Sequence, residues 1–337
     1  MKAWELHGFG LQNLKLGNKA EPRPGMNEVL VRVSAVSLNY RDKLLVEGLY
    51  NRRIPFPMVQ VVDAVGEVVE TGAGVTRFKV GDRVITNYAT SWIDGEPRGN
   101  EYMHTLGNTI QGALAEYLAL HEDSFVSAPS HLTDEEAAGL PCAGLTAWYA
   151  LIEKGRLRSD QTVLIQGTGG VSLFGLQIAS SLGALTMVTS SCDNKLERAK
   201  SLGADHGINY KRNPNWEDAV LSLTDNKGVD HILEVVGGKN LIRSISAIKT
   251  GGHIAIIGLL DGFTSDLPLF PILGKQAVLR GYSVGSRRAL EDMIRAFAKS
   301  EIRPVIDTVY SFEEALQAYE HLYRGAFGKV VICIRER

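Results

Sequence analysis

The stretch Thr162–Leu182, TVLIQGTGGVSLFGLQIASSL, decides the fold. Val163-Leu164-Ile165 is an apolar, partly β-branched run of the length of a buried parallel strand. Gly167, Gly169 and Gly170 follow at once, with Thr168 between them and Val171 after them. The small-residue apolar segment beyond reads as a helix packed on a sheet. A strand feeding a Gly-rich turn and a helix aims backbone N–H groups and the positive end of a helix dipole at a phosphate. In the pattern G-x-G-x-x-G the glycines allow a tight turn, close approach of a pyrophosphate and close helix–strand packing. Here Ser172 holds the third place, small enough to keep the helix near the strand.

Downstream the rhythm of strand and helix continues. Leu185–Ser190 reads as a second strand. Asp193–Leu202 reads as a helix with Leu196, Ala199 and Leu202 on one face and Gly203 as its stop. His206–Asn209, Val229–Val236, Gly252–Gly258 and Val278–Tyr282 complete six strands, the pattern of a doubly wound parallel sheet. Upstream, Met1–Phe125 carries short strands and dense turns. Glu28–Val36 alternates, Val59–Val69 is apolar, and Arg83–Ile85 and Gly112–Leu120 follow, as in a compact, partly closed β-barrel. Asn87–Asn108 is polar and irregular, with Gly95, Pro97, Gly99 and Gly107, and reads as a long surface loop. Leu132–Ala137 starts a capped helix with acidic residues in its first turn. A last helix over Ser286–Lys299 and a strand over Lys329–Ile334 return to the first domain. The expected domains are residues 1–126 with 284–337, and residues 127–283.

Composition narrows the partners. In 337 residues, 45% hydrophobic and 22% charged describe an ordinary globular protein, and a net charge of -2 gives no electrostatic reason for a nucleic-acid or membrane partner. No apolar run reaches the ~18 residues that span a bilayer. The N-terminus carries charge where a secretory h-region belongs. Cys142, Cys192 and Cys333 are odd in number and form no C-x-x-C pair, which argues for a reducing compartment, by default the cytoplasm.

Five blocks in one order carry a family resemblance: Gly66-Glu67-Val68-Val69-Glu70-Thr71-Gly72 with Gly74-Val75; Phe78-x-x-Gly81-Asp82-Arg83-Val84; Gly144-Leu145-Thr146-Ala147; Gln166–Val171; and Leu202-Gly203-Ala204. End to end, the chain resembles the medium-chain dehydrogenase/reductase superfamily, most of all its quinone-oxidoreductase and zinc-free alcohol-dehydrogenase-like branches. The resemblance implies an α/β protein made of a GroES-like β-barrel catalytic domain and a Rossmann cofactor domain, with the active site in the cleft between them. It implies a homodimer as well, since an edge strand of the cofactor sheet commonly pairs with its copy.

The family's zinc enzymes hold the metal with a Cys, a His and a second Cys. Those places fall on Asn39, Val62 and Cys142. Valine has no ligand atom and an amide is a poor zinc donor beside thiolate or imidazole, so no metal site is expected. The four-cysteine lobe of the structural zinc falls within Asn87–Asn108, which has no cysteine. Cys142 then reads as a small buried hydrophobe.

An NAD enzyme ends its second strand with Asp or Glu, which binds the ribose hydroxyls and repels a 2′-phosphate. Here Ser190 and Ser191 stand there, with Lys195 and Arg198 on the next helix. Tyr210 resembles the tyrosine that NADP-using members set beside that phosphate. Hydroxyls and cations suit a dianion, so NADP(H) is the expected cofactor. The plain alternative makes Lys195 and Arg198 a solvated face and Asp193 an N-cap. The resemblance puts the nicotinamide carboxamide on backbone at Val236, Gly258 and Leu259. It makes Lys329 a candidate for the pyrophosphate, with an ordinary strand-edge lysine as the alternative.

Without a Lewis acid, hydrogen-bond donors must stabilise the charge that hydride transfer leaves on oxygen. Acceptors that spread that charge, quinones and α,β-unsaturated carbonyls, are then easier than plain ketones. By family position Tyr40, Asn39 and Arg41 are the nearest donors, with Asp42 orienting them; Tyr40 is also the candidate general acid, and Asp63 is a further candidate. Each has a structural alternative: Asp42 pairing with Arg41, Asp63 holding a turn. Val61, Val62, Leu259 and Phe263 would wall an apolar pocket for a small hydrophobic substrate. An alcohol or ketone dehydrogenase of the same fold, and a cofactor-binding protein with little turnover, remain the other readings.

Overall fold

The structure is a computed structural model describing residues 1–99 and 101–335, without the side chain of Tyr102. In chain order it begins β1 (Lys2–Leu6), β2 (Leu14–Asn18), β3 (Glu28–Leu38), α1 (Tyr40–Val46), β4 (Met58–Val59), β5 (Asp63–Thr71), β6 (Arg83–Thr86), β7 (Tyr117–His121), β8 (Phe125–Ser127) and α2 (Asp134–Ala138). Then come α3 (Leu145–Trp148), β9 (Thr162–Gln166), α4 (Gly170–Ser181), β10 (Leu185–Ser190), α5 (Asp193–Ser201), β11 (His206–Asn209) and α6 (Trp216–Leu223). It continues with β12 (Val229–Glu234), α7 (Asn240–Ala247), β13 (Ile248–Ile256), α8 (Leu269–Lys275) and β14 (Val278–Gly281). The return comprises α9 (Arg287–Ser300), β15 (Ile306–Ser311), α10 (Ala315–Arg324) and β16 (Lys329–Cys333).

Residues 1–145 and 284–337 make one compact unit, residues 146–283 a second. The sequence placed residues 127–145 with the second. They stay with the first because α2 packs on β3, β5 and β16, and its acidic first turn is held there. Asp134 accepts from Arg83 Nε at 2.6 Å, and Glu136 from Arg303 at 2.8 Å. Thr133 and Glu136 cap the helix reciprocally, as the spacing predicts.

In the first unit one sheet runs β15-β16-β3-β5-β6-β8, with β7 also on β3, and a small sheet runs β2-β1-β4. β3 is its spine. Two bulges against β5 bend and twist it, and from Ala35 to Leu38 every residue is buried. Plain alternation therefore holds only from Val31 to Ala35, since Val29, Leu30 and Val31 are buried in succession as well. The Gly112–Leu120 strand is shorter than expected and starts at Tyr117, while α10 and β15 carry no signal strong enough to be read ahead. The loop over Asn87–Asn108 is not a surface loop throughout: Tyr88, Trp92, Thr105, Leu106 and Asn108 are buried.

The second unit is a parallel sheet in the order β11-β10-β9-β12-β13-β14. Renumbered within the unit this is 3-2-1-4-5-6, the doubly wound order whose direction reverses between its first and fourth strands. Val163, Leu164 and Ile165 at its centre are wholly buried. Ligands of such sheets bind beyond the carboxyl ends of the strands at that reversal. Here those ends are Gln166 and Glu234. Among the described residues no helix is long and apolar enough to cross a membrane.

Candidate active-site cluster and dinucleotide site

In the first unit, β3 runs straight into Asn39, whose extended backbone (φ -129°, ψ 157°) caps α1. Asp42, one turn in, accepts the Asn39 backbone N–H at 2.8 Å, so the candidate orienting residue acts as a helix cap. Asp42 is fully buried, and desolvation raises its pKa above the ordinary carboxylate value against the pull of Arg41 and that N–H. The Asn39 side chain turns the other way. Its Nδ2 donates to Asp63 Oδ2 at 2.8 Å and its Oδ1 accepts from Lys329 Nζ at 2.6 Å. Lys329 also donates to Leu38 O at 2.9 Å and lies 3.6 Å from Asp63 Oδ2. Asp63 has no exposed surface, and its Oδ1 lacks a well-formed hydrogen bond, although the Cys142 N–H still pulls on the carboxylate. Desolvation pushes the Asp63 carboxyl up to about 6, with Lys329 and Asn39 opposing. Burial and the Asp63 charge likewise push the Cys142 thiol well above its usual range.

Asn39, Asp42 and Asp63 are thus brought together, joined by Lys329. That corrects the placing of Lys329 on the pyrophosphate. The residue is 2% exposed, and its ammonium faces Leu38, Asn39 and Asp63 within its own unit. Nothing in Gly328-Lys329 signals this. Tyr40 is only half-buried at the first helical position, with Lys43 Nζ 5.7 Å from its ring, and no hydrogen bond among the described residues ties it to the cluster. Arg41 pairs with Asp42, its Nη1 lying 3.5 Å from Asp42 Oδ1, and otherwise points away from the cluster. It donates to Leu106 O and Thr105 Oγ1 at 3.1 and 3.0 Å and lies over the rings of Tyr88 and Tyr50, which draws the 87–108 loop inward. Val61 and Val62 have no exposed surface and belong to the core, not to an accessible wall. Val61 sits there at φ 73°, a strained conformation for a β-branched residue.

These residues do not suit a catalytic zinc. Both polar atoms of the Asn39 amide are engaged, Val62 offers hydrocarbon, and an ammonium lies against the same amide.

In the second unit, Gly167 turns out of β9 at φ 72° and Gly169 caps α4. A Cβ on Gly169 would meet nothing within 4 Å, so there is open room beside the N–H groups of Gly170 and Val171, which have no acceptor within the helix. Thr168 is buried between them. Ser172 Oγ donates to Gln166 O at 2.7 Å, so the serine in the third glycine place fastens the helix to its strand. This turn suits a pyrophosphate. At the reversal, Ile257 and Gly258 N–H donate to Glu234 O at 2.9 and 3.1 Å, and Asp261 N–H to Val236 O at 2.7 Å. A Cβ on Gly258 would stand 1.8 Å from Val235 O, so only glycine allows this close approach. Val236, Gly258 and Leu259 thereby form one layered backbone turn.

At the other end, Ser190 closes β10, 3% exposed, its Oγ accepting from Cys192 N–H at 3.3 Å. The Tyr210 N–H donates to Ser190 O at 3.0 Å, so these two candidates are neighbours and the Tyr210 ring stays exposed. Ser191 and Lys195 are half-buried beside them in sequence. Cys192, not Asp193, is the N-cap of α5. Asp193 instead accepts from Asn209 Nδ2 at 2.6 Å and pairs with Arg212. Arg212, two residues past Tyr210 and largely exposed, is a cation that the sequence reading missed.

Two family profiles match the chain: an alcohol dehydrogenase GroES-like domain over residues 25–130 and a zinc-binding dehydrogenase over residues 170–299. The zinc-type alcohol dehydrogenase-like protein C1773.06c of Schizosaccharomyces pombe is 40% identical over 91% of this chain and 91% of its own. The chain belongs to the medium-chain dehydrogenase/reductase superfamily. This medium-chain dehydrogenase/reductase is also similar to a crystal structure provisionally assigned as an alcohol dehydrogenase from Sinorhizobium meliloti 1021. That likeness has a TM-score of 0.94 at 48% identity, over 99% of this chain and 98% of that one. The acryloyl-coenzyme A reductase of Metallosphaera sedula is 30% identical over 98% of this chain and 99% of its own. The chain itself is an oxidoreductase of the alcohol dehydrogenase and quinone oxidoreductase family, a family of nicotinamide-dependent dehydrogenases.

Proposed function

We propose that this medium-chain dehydrogenase/reductase is a zinc-independent, NADPH-dependent reductase of quinones or α,β-unsaturated carbonyls. The observation that carries the reading is the Asn39–Lys329–Asp63 cluster. It stands where the family's metal ligands would be and engages the one polar side chain at those two non-cysteine places. The cofactor, when bound, supplies the hydride. The chain's part is to bind, orient and donate. Gly167, Thr168, Gly169, Gly170 and Val171 receive the pyrophosphate, and backbone at Val236, Gly258 and Leu259 receives the nicotinamide amide. Asn39 and Asp42 fix the start of α1, and with it Tyr40, whose hydroxyl is the donor left for the acceptor's oxygen. Such a donor serves best where the acceptor delocalises its own charge. The relative acting on acryloyl-coenzyme A, an unsaturated thioester, supports that class.

Ser190, Ser191, Lys195, Tyr210 and Arg212 together suit a 2′-phosphate, and no carboxylate ends β10 to repel it. Ser190→Asp is expected to lower the NADPH/NADH ratio of kcat/KM by about tenfold or more, since like charges in contact cost over ~1.4 kcal/mol. An unchanged ratio removes the NADP assignment. Purified protein should oxidise NADPH with an ortho-quinone or an enal while holding no stoichiometric zinc by elemental analysis. Bound zinc with chelator-sensitive turnover defeats the zinc-independent reading. A second reading, an alcohol or ketone oxidoreductase, is favoured by the names of the relatives at 40% and 48% identity. NADP+ reduction by secondary alcohols, with none of the first activity, would select it.

The same proposal includes a homodimer. β14 is an outer strand of its sheet, and Leu269, Phe270 and Leu273 on the preceding α8 are 71%, 85% and 72% exposed. Sedimentation of Phe270→Asp as monomer, against a wild-type dimer, checks it.

A further inference from the structure

The second unit buries a carboxylate that takes part in no salt bridge among the described residues. Glu234, the last residue of β12, has no exposed surface. Its Oε1 accepts from the backbone N–H of Val236 and of Gly237, each at 2.9 Å. Its Oε2 accepts from Gln166 Nε2 at 2.9 Å and from the Ser244 hydroxyl. Asn240 Nδ2 bridges both oxygens at 3.2 and 3.1 Å, while also donating to Gln166 Oε1 at 3.1 Å. The backbone oxygen of the same residue holds Ile257 and Gly258.

One side chain and its carbonyl therefore tie together three strand ends. Gln166 immediately precedes the Gly167 turn, Val236-Gly237 follows β12, and Ile257-Gly258 follows β13. These are the three places assigned to the dinucleotide. A buried carboxylate without a counter-ion is costly unless donors surround it, and a fully satisfied network of that kind rigidifies what it touches. Neutral donors would be expected to be replaced by an apolar core if packing were the only need.

We propose that Glu234 is a positioning residue for the nicotinamide dinucleotide, holding the Gly167, Val236–Gly237 and Gly258 backbone in its binding geometry before the cofactor arrives. This rests on the reading of the sheet reversal as the dinucleotide site. Glu234→Gln keeps the shape but replaces one acceptor oxygen by an NH2 group. Turned one way, that amide sets its NH2 against the Val236 and Gly237 N–H groups; turned the other, it takes the acceptor from Gln166 Nε2 and the Ser244 hydroxyl, and both must reorient. The exchange Glu234→Gln with Gln166→Glu returns a carboxylate to the pair.

The test titrates NADPH and NADH by fluorescence into wild type, Glu234→Gln and the exchange variant, with thermal unfolding and hydrogen exchange of each apo protein. The expected result is a loss of about tenfold in affinity for both cofactors alike in Glu234→Gln, the scale set by one buried group left without its partner. Faster exchange at 166–170, 235–240 and 257–262 should accompany it, and the exchange variant should recover most of the affinity. A Glu234→Gln protein that melts earlier but binds as wild type would show a purely structural carboxylate and overturn the proposal. So would an exchange variant as weak as the single one. If Glu234→Gln does not fold, Ser244→Ala removes one donor and should weaken both cofactors by about threefold, and wild-type affinity there overturns the proposal equally. Wild type that binds neither cofactor defeats the dinucleotide reading itself, a different failure from the others.

Discussion

Asp63 and Glu234 are both carboxylates with no exposed surface at a strand end, and the chain satisfies them by opposite means. Asp63 meets a cation, Lys329, and one amide, and its second oxygen is poorly served. Glu234 meets five neutral donors from three segments: the end of β9, the turn after β12 and α7. A charge pair concentrates its energy in one contact and is lost whole when either partner goes. A neutral network spreads its energy over many weak bonds and fixes the backbone that supplies them. The first device suits a place whose side chains must stay put inside a core. The second suits a rim of backbone amides that must be ready for a ligand.

The largest effect should come from Lys329→Met. It leaves Asp63 buried without its cation, with only the Asn39 amide and the pull of the Cys142 N–H, and such half-pairs cost about 3–5 kcal/mol. Urea unfolding at pH 8 measures it, and a loss under about 1 kcal/mol would mean that the cluster is no charge pair. The loss should shrink toward pH 5. Asp63 has its folded pKa raised to about 6 from 3.8, so the folded state binds the extra proton, and its contribution falls as pH rises through that window. Protonation at low pH therefore relieves the variant.

A smaller effect of the opposite sign belongs to the second unit. His231 and His253 pack edge to face, and burial lowers both to about 4 from 6.5. The unfolded chain takes up protons first, so stability is lost as pH falls from about 6.5 to about 4. His231→Gln should remove about 1–2 kcal/mol of that loss between pH 7 and pH 5, read as the difference between unfolding midpoints. An unchanged difference would mean that His231 titrates normally.

How much of this was legible beforehand follows from the range of the interactions. The β9–Gly167–α4 unit is read correctly because strand, turn and helix are set by neighbours within twenty residues: β-branching, positive φ, and a small residue at 172. The six strands are read from the same short periods. Arg41 was legible as a cation but not as the anchor of Thr105 and Leu106, sixty-odd positions away. Glu234 and Gln166 sit 68 positions apart, and no local pattern joins them.

The sequence alone determined the class of the two domains, the Gly-rich turn between β9 and α4, and an amide and a valine at positions 39 and 62, because each is a property of residue type at short spacing. Only the tertiary structure decided where Lys329 goes and what surrounds Glu234. Lys329 reaches Asn39 across 290 positions, and β16 lies beside β3 solely through sheet pairing. A buried charge takes whatever partner the fold brings near, and the chain order does not record which one that is.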